Sequence, residues 1–337
     1  MDNFPKPHED YQQLLDMVFE PVRTKLLLTA IELKVFNHLH KPETADSLAC
    51  KLGTHPENTM YFLDGLAACS LVSKSKGLYI NAPLAREFLV EGTAYYLGDF
   101  ILSSYKWVIP LMDNMSGLLK DGPYKEHRSS DPDVWIKAAR SMANMQKAGR
   151  AQMIRDVIVN LPEFKRFSKM LDLGCGPGLV GIAVTEAHPS MHGVLYDQAA
   201  VIEIAKEYVF THGMEDRITL LAGNCLEDDL GQDYDLIIAS NILYIAKNSM
   251  LFMLKKIYDA LRPGGVLVSF HGGLYNEGTE PSKLVLSWLS TTMSEYNMAL
   301  DQGMIAEAAL QSGFGSVRSI CGDYNTDVDI ARKCNRS

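Results

Sequence analysis

Lys169-Met170-Leu171-Asp172-Leu173-Gly174-Cys175-Gly176-Pro177-Gly178 is the stretch on which the reading of this chain turns. Met170, Leu171 and Leu173 form a short apolar strand, and three glycines follow where the backbone must turn sharply. Leu179, Val180, Ile182, Ala183 and Val184 then carry a helix. Strand, glycine turn and helix open a βαβ unit, whose ligand sits outside the strand's carboxyl end against bare backbone N–H groups. A dinucleotide fingerprint needs G-x-G-x-x-G, which from Gly174 would put its third glycine at Leu179. Here the third is Gly178, so the spacing is G-x-G-x-G. A glycine triplet is weak by itself, because glycines often mark plain turns.

Four further signals follow. Val194-Leu195-Tyr196 is a second strand ending in Asp197, placed to accept hydrogen bonds from a ribose. Ile218 to Leu221 is a third, before Gly223-Asn224-Cys225-Leu226, where a side-chain amide can meet an adenine edge. Asp235 to Ser240 is a fourth, ending at Asn241, and Leu261-Arg262-Pro263-Gly264-Gly265 leads into a fifth, Val266 to Phe270. The series over residues 169–271 resembles the S-adenosylmethionine-dependent methyltransferases, because the signals agree across levels. An apolar βαβ domain with chance glycines would have to explain each signal separately. The resemblance implies S-adenosylmethionine as cofactor and S-adenosylhomocysteine as its product. It implies cofactor contacts from Asp172, Gly174, Cys175, Gly176, Gly178, Asp197, Gln198, Asn224, Cys225, Leu226, Ser240 and Asn241.

The 337 residues are enough for two domains, and 47% apolar with 22% charged is ordinary for a globular protein. A net charge of −9 repels phosphate backbones, so nucleic acid is a poor default partner. The N-terminal MDNFPKPHED lacks the apolar region of a secretory signal. No apolar run approaches the ~18 residues that span a membrane. Six scattered cysteines without a C-x-x-C pair fit reduced thiols in cytoplasm, with no zinc or other metal site.

Before the strand series, Leu14, Leu15, Val18 and Phe19 share a helical face, and Pro21 is expected to open a second helix through Leu39. Thr44 caps a short helix ended by Gly53, Pro56 opens another, and Leu71-Val72 with Leu78-Tyr79-Ile80 reads as a hairpin turning near Lys76-Gly77. Helix, helix and two-stranded wing look like a winged helix. A DNA reader would carry cations on its second helix, yet residues 56–69 hold Glu57 and Asp64 and no Lys or Arg. The arrangement instead resembles the dimerisation domain of two-domain small-molecule O-methyltransferases, the plant caffeate-type and bacterial polyketide-tailoring enzymes. That resemblance implies a homodimer and a helical dimerisation domain over residues 1–120. Residues 121–160 become a linker and substrate-covering helix, and 161–337 an α/β catalytic domain with a Rossmann-like, seven-stranded, mostly parallel sheet.

Residues 94–120 are too apolar to stand in water and either meet a partner or line a pocket, Trp107 among them. Lys120 to Asp133 reads as a loop and Trp135 to Leu161 as helix. Methionines at helical spacing are usually core filler, but in the family this segment covers the substrate. Met142, Met145 and Gln146 are therefore candidates for either role.

Methyl transfer from a sulfonium asks the protein mainly for proximity and alignment. A phenol acceptor, with a pKa near about 10, also benefits from a base. Plant-type relatives place a histidine after the fourth strand. Here that region, Ser240 to Lys247, contains none, and Tyr244 occupies the position, or Leu243 if the register slips by one. Tyr244 can position a substrate or form a pocket wall. His271, after the fifth strand, is the other catalytic candidate. Trp288, on a helix opened by Pro281, is a substrate candidate, and Met293, Tyr296 and Met298 are expected near the acceptor. Val317 to Ile320 and Val328 to Ala331 are expected to close the sheet with one antiparallel strand. The favoured reaction is methylation of a hydroxyl on a small aromatic or polyketide-like molecule. C- or N-methylation of a tetrapyrrole-like or heterocyclic acceptor, or a cofactor-binding dimer without catalysis, are the alternatives.

Overall fold

In the computed structural model, which describes residues 8–125, 132–295, 297–322 and 326–335, the chain divides into two compact units between Leu102 and Ser103. Residues 1–7 of the N-terminal stretch, residues 126–131 of the expected loop and Tyr296 lie outside the described residues.

The first unit contains α1 (Gln12–Glu32), α2 (Val35–His38), α3 (Ala45–Leu52), α4 (Pro56–Ala68), the hairpin β1 (Val72–Ser75) and β2 (Leu78–Asn81), and α5 (Pro83–Phe88). The expected break at Pro21 does not occur: α1 runs through it. A proline removes one backbone hydrogen bond, and the flanking helix formers carry the helix on. The other local signals act as read. Thr44 Oγ1 accepts from the Ser47 N–H at 3.2 Å, and Gly53 closes α3 at φ 67°. Pro56 opens α4. Lys76 and Gly77 turn the hairpin with φ of 49° and 77°, the sign a two-residue turn needs to match strand twist. Phe36, Leu48, Leu63, Leu66 and Tyr79 form the core of this unit.

α6 (Gly98–Met112) crosses the division and is followed by α7 (Met115–Asp121). The second unit continues with α8 (Pro132–Met145), a π-helical turn (Gln146–Arg150) and α9 (Ala151–Val159). Its sheet strands are β3 (Lys169–Leu173), β4 (His192–Asp197), β5 (Ile218–Ala222), β6 (Tyr234–Ser240) and β7 (Leu261–His271). Between them come α10 (Leu179–Glu186), α11 (Ala199–Thr211) and α12 (Met250–Ala260). A short pair, β8 (Gly273–Leu274) and β9 (Leu300–Asp301), brackets α13 (Ser282–Thr292), and α14 (Met304–Gln311), β10 (Ser316–Gly322) and β11 (Thr326–Arg332) complete the chain.

The seven-stranded sheet has the order β10-β11-β7-β6-β3-β4-β5. β3 to β7 are parallel, and β11 enters antiparallel to both its neighbours. Successive side chains point to opposite faces of a strand. Thus Met170 joins a core with Ile154 of α9, Ile182 of α10 and Ala205 of α11. Leu171 and Leu173 join the opposite core, with Leu254 of α12 and Ala309 of α14. Both faces are covered, as parallel strands require. The chain leaves β3 toward β4 on one side and returns to β6 on the other, so a crevice opens between β3 and β6 at their carboxyl ends.

Candidate functional site

Two groups of residues meet the carboxyl edge of this sheet. The first surrounds the glycine bend. Gly174, Gly176 and Gly178 have φ of 66°, 57° and 79°, a region that penalises any side chain. They differ in surroundings. A Cβ on Gly174 would lie 2.5 Å from Ile242, and one on Gly178 would lie 2.7 Å from Leu195, whereas one on Gly176 would meet nothing within 4 Å. Gly176 is therefore the bare face of the bend.

The Gly176 N–H donates to Asp197 Oδ2 at 2.8 Å, and the Gln198 N–H donates to Oδ1 at 2.7 Å. Burial pushes the half-buried Asp197 carboxyl up, and these two donors pull it back. An ionised carboxylate has about four acceptor positions, so two remain for a diol. Asn224 is exposed, with Oδ1 accepting from the Leu226 N–H at 3.1 Å; its own N–H donates to Asp228 Oδ2 at 2.7 Å. Cys225 is buried, Leu226 and Ser240 half-buried, and Gln198 and Asn241 exposed. Asn241, at φ 51°, donates its N–H to the Phe270 carbonyl at 2.8 Å. Asp172 and Cys175 are buried beneath the bend. Asp172 Oδ2 accepts from the Gly181 N–H at 2.8 Å, which braces the start of α10, and burial raises its pKa to about 7. Burial also raises the Cys175 thiol. A sulfonium nucleoside fits this set: an open backbone cradle at Gly176, spare acceptor capacity on Asp197 and an exposed amide at Asn224.

The second group gathers around the end of β7. The rings of Tyr244, His271 and Trp288 form a triangle, with centroids 6.2 Å apart for Tyr244–His271, 5.7 Å for Tyr244–Trp288 and 6.0 Å for His271–Trp288. Three residues spread along the chain from 244 to 288 are thus brought together by β7, the turn after β6 and α13. His271 is 3% exposed. Its Nδ1 lies 2.6 Å from the Gly272 carbonyl, which can only accept, so Nδ1 carries the proton. Nε2 then presents a lone pair, and it is buried with no partner among the described residues. Burial, chiefly, holds the imidazole below its ordinary pKa; the Gly272 bond and Asp327 oppose this, and the Arg150 charge adds to it.

Arg150 was not singled out by the sequence. It ends the π-helical turn, in which Gly149 takes φ 131°. Its Nη1 donates to Thr326 Oγ1 of β11 at 2.8 Å, while Nε and Nη2 are buried with no partner among the described residues. The available signal was Gly149, a glycine inside a helical pattern, which costs about 1 kcal/mol against alanine and so flags a local reason. Gln146, the first residue of the turn, is buried with Oε1 unpartnered, and Met142 and Met145 are half-buried on α8. Trp107 is 54% exposed on α6 and takes no part in the ring triangle. Met293 and Met298 are half-buried. Among the described residues there is no metal-ligating cluster, and no helix is long and apolar enough to cross a membrane.

The chain is 25% identical to the N,N-dimethyltransferase OxyT of Streptomyces rimosus, over 89% of this chain and 86% of that protein. It is also 25% identical to the demethylspheroidene O-methyltransferase of Cereibacter sphaeroides, over 88% and 78% respectively. A solved structure described as a putative O-methyltransferase from Nostoc punctiforme superposes with a TM-score of 0.82 at 24% identity, covering 96% of this chain and all of that one. An O-methyltransferase dimerisation domain matches residues 15–91, and an O-methyltransferase domain matches residues 122–309, more than half of the chain. The G-x-G-x-G bend over a seven-stranded sheet and these two matched domains agree: the chain belongs to the O-methyltransferase family and is an S-adenosylmethionine-dependent methyltransferase.

Proposed function

We propose that this enzyme methylates a hydroxyl of a small aromatic or polyketide-like acceptor, with His271 taking the hydroxyl proton. The carrying observation is the buried, unpartnered Nε2 of His271 inside a ring triangle. When bound, S-adenosylmethionine supplies an electrophilic methyl group on a sulfonium. The residues of this chain align the acceptor and manage its proton. Asp197 and the Gly176 backbone hold the nucleoside end, and Tyr244 and Trp288 offer ring faces to a flat acceptor. A phenol with pKa near about 10 is almost wholly protonated at neutral pH, so a base in contact with it speeds transfer by ~10²–10⁴. His271 meets the requirement: Nδ1–H is pinned to Gly272, Nε2 is free, and its lowered pKa keeps the ring neutral at pH 7. Tyr244 packs its ring against those of His271 and Trp288 and serves as a wall.

The test is turnover across pH. In the wild type, kcat/KM should stay level through neutral pH and fall only below the ordinary histidine value of about 6.5. His271→Ala should lower the plateau and remove the acid limb. An unchanged kcat/KM in that variant would remove His271 from the reaction. The likeness to an N,N-dimethyltransferase keeps a nitrogen acceptor as the second reading. Product mass spectrometry with a labelled donor distinguishes oxygen from nitrogen.

We infer further that two copies assemble through the first unit. Leu14, Met17, Val18, Phe19 and Val22 of α1 are all exposed, an apolar face that a matched dimerisation domain would cover.

A further inference from the structure

Arg150 is a charged group at this edge that neither catalysis nor cofactor recognition, as described so far, makes use of. Its guanidinium spends one donor on Thr326 and leaves Nε and Nη2 buried and unpartnered. Burial alone pushes its pKa down, with no carboxylate among the described residues offsetting the charge. A buried, unpaired cation is costly, and buried charges are normally paired or coordinated. Among the described residues no neighbour pairs with the charge. Asp327, next to Thr326 on β11, accepts from the Gly273 N–H at 3.2 Å and from Gln302 Nε2 at 3.2 Å, and among the described residues it makes no bond to Arg150. His271 is neutral and its free atom is an acceptor. The π-helical turn adds a second observation. The helix breaks here at Gly149, whose φ of 131° is not helical, and the residue after the break is the arginine that reaches β11.

We propose that Arg150 is the anion-holding residue of the site and takes the carboxylate of a bound ligand through Nε and Nη2. The planar fork of a guanidinium matches a carboxylate bidentately. The inference rests on the methyl-transfer reading and names the charge that its ligands must bring. A carboxylate can come from two sources here: the amino-acid tail of the cofactor, or an acidic group on the acceptor.

Calorimetry on the full chain separates them, using Arg150→Gln and Arg150→Lys. S-adenosylhomocysteine carries the tail and 5′-methylthioadenosine lacks it. With S-adenosylhomocysteine saturating, 4-hydroxybenzoate carries a carboxylate and 4-hydroxybenzamide does not. In Arg150→Gln, one carboxylate-bearing probe should weaken by about tenfold or more against its uncharged partner, as expected for a lost charge-assisted pair, with partial recovery in Arg150→Lys. Loss confined to the first pair assigns the cofactor tail, and loss confined to the second assigns the acceptor. If both differences stay within about twofold, the proposal is overturned. Thermal melting of the ligand-free Arg150→Met variant gives a readout independent of any probe. An uncompensated guanidinium predicts a Tm equal to or above wild type, whereas a lower Tm makes Arg150 a structural tie to Thr326 and overturns the proposal. Failure of the wild type to bind 5′-methylthioadenosine would instead strike the nucleoside site itself.

Discussion

The two halves of the site are built on opposite plans. Around the glycine bend, carboxyl oxygens already have partners: Asp197 holds two backbone N–H groups and Asp172 a third. Around the end of β7, buried polar atoms have none among the described residues: Nε2 of His271, Nε and Nη2 of Arg150, and Oε1 of Gln146. The first half is a cradle whose carboxyl groups are tied to the backbone. The second holds donors and acceptors whose partners must arrive from outside, since unsatisfied buried groups cost about 1–3 kcal/mol each. A family that keeps one cofactor and changes acceptors needs that division.

Substitution should separate the halves. The largest effect belongs to His271→Ala, which should cost ~10³ in kcat/KM, about 4 kcal/mol of transition-state stabilisation, while S-adenosylhomocysteine binds within about twofold of wild type by calorimetry. Loss of cofactor binding in that variant would break the division. Next come the glycines. Gly178→Ala combines left-handed φ with a Cβ 2.7 Å from Leu195, which is fully buried and cannot swing away. It should lower stability by ~2–4 kcal/mol in urea unfolding. Gly176→Ala meets open space, so only its φ of 57° counts, at about 1–2 kcal/mol. That small loss should come with weakened nucleoside binding, because the added methyl occupies the bare face. Equal losses in the two variants would contradict the assigned surroundings. Asp197→Asn keeps the shape and loses the charge. It should weaken 5′-methylthioadenosine by ~10–100-fold, the value of hydrogen bonds to a charged group, and leave acceptor-side probes unchanged.

The same division explains what could be read in advance. Gly174, Gly176, Gly178 and Asp197 were legible because the chemistry is local: a strand ends, the backbone turns, and an acid closes the next strand. The sheet followed from five such units, and the Lys76-Gly77 turn from two residues. His271, Tyr244 and Trp288 could be named from strand ends and a helix face, although their meeting depends on three distant elements packing together. Arg150 was illegible for a definite reason. Helical periodicity assumes 3.6 residues per turn, and the chain leaves helical geometry at Gly149, so the side chains after the kink turn off the expected face. Trp107 shows the converse: an apolar pattern identified a helix without revealing which side of it is covered, and the ring is exposed. Pro21 lies inside α1 because the helix formers around it outweigh the one backbone hydrogen bond it removes.

The smallest test sets the two halves against each other in one titration. Asp172 has a pKa of about 7 when folded, chiefly from burial, against about 3.9 unfolded. Between those values the folded chain keeps a proton that the unfolded chain has released, so stability falls as pH rises, by about 1.4 kcal/mol per unit. The contribution is complete below about pH 4 and is lost as pH climbs through 7. His271 acts with the opposite sign. Its folded pKa lies below the ordinary value, so as pH drops under about 6.5 the unfolded chain binds a proton the folded one refuses, and stability falls toward acid. In the wild type the two slopes oppose each other near pH 6 and the profile is flattened. Asp172→Asn should uncover the histidine slope, its amide oxygen still accepting from the Gly181 N–H. Urea unfolding at pH 5.5 and 6.5 should therefore show stability rising with pH in the variant, with the difference from wild type changing by about 1.4 kcal/mol over that unit. His271→Gln should show the reverse slope. Parallel profiles in all three proteins would mean that neither group is buried in the ionisation state assigned to it, and the contrast between a pre-paired cradle and an unpaired acceptor end would fall with them.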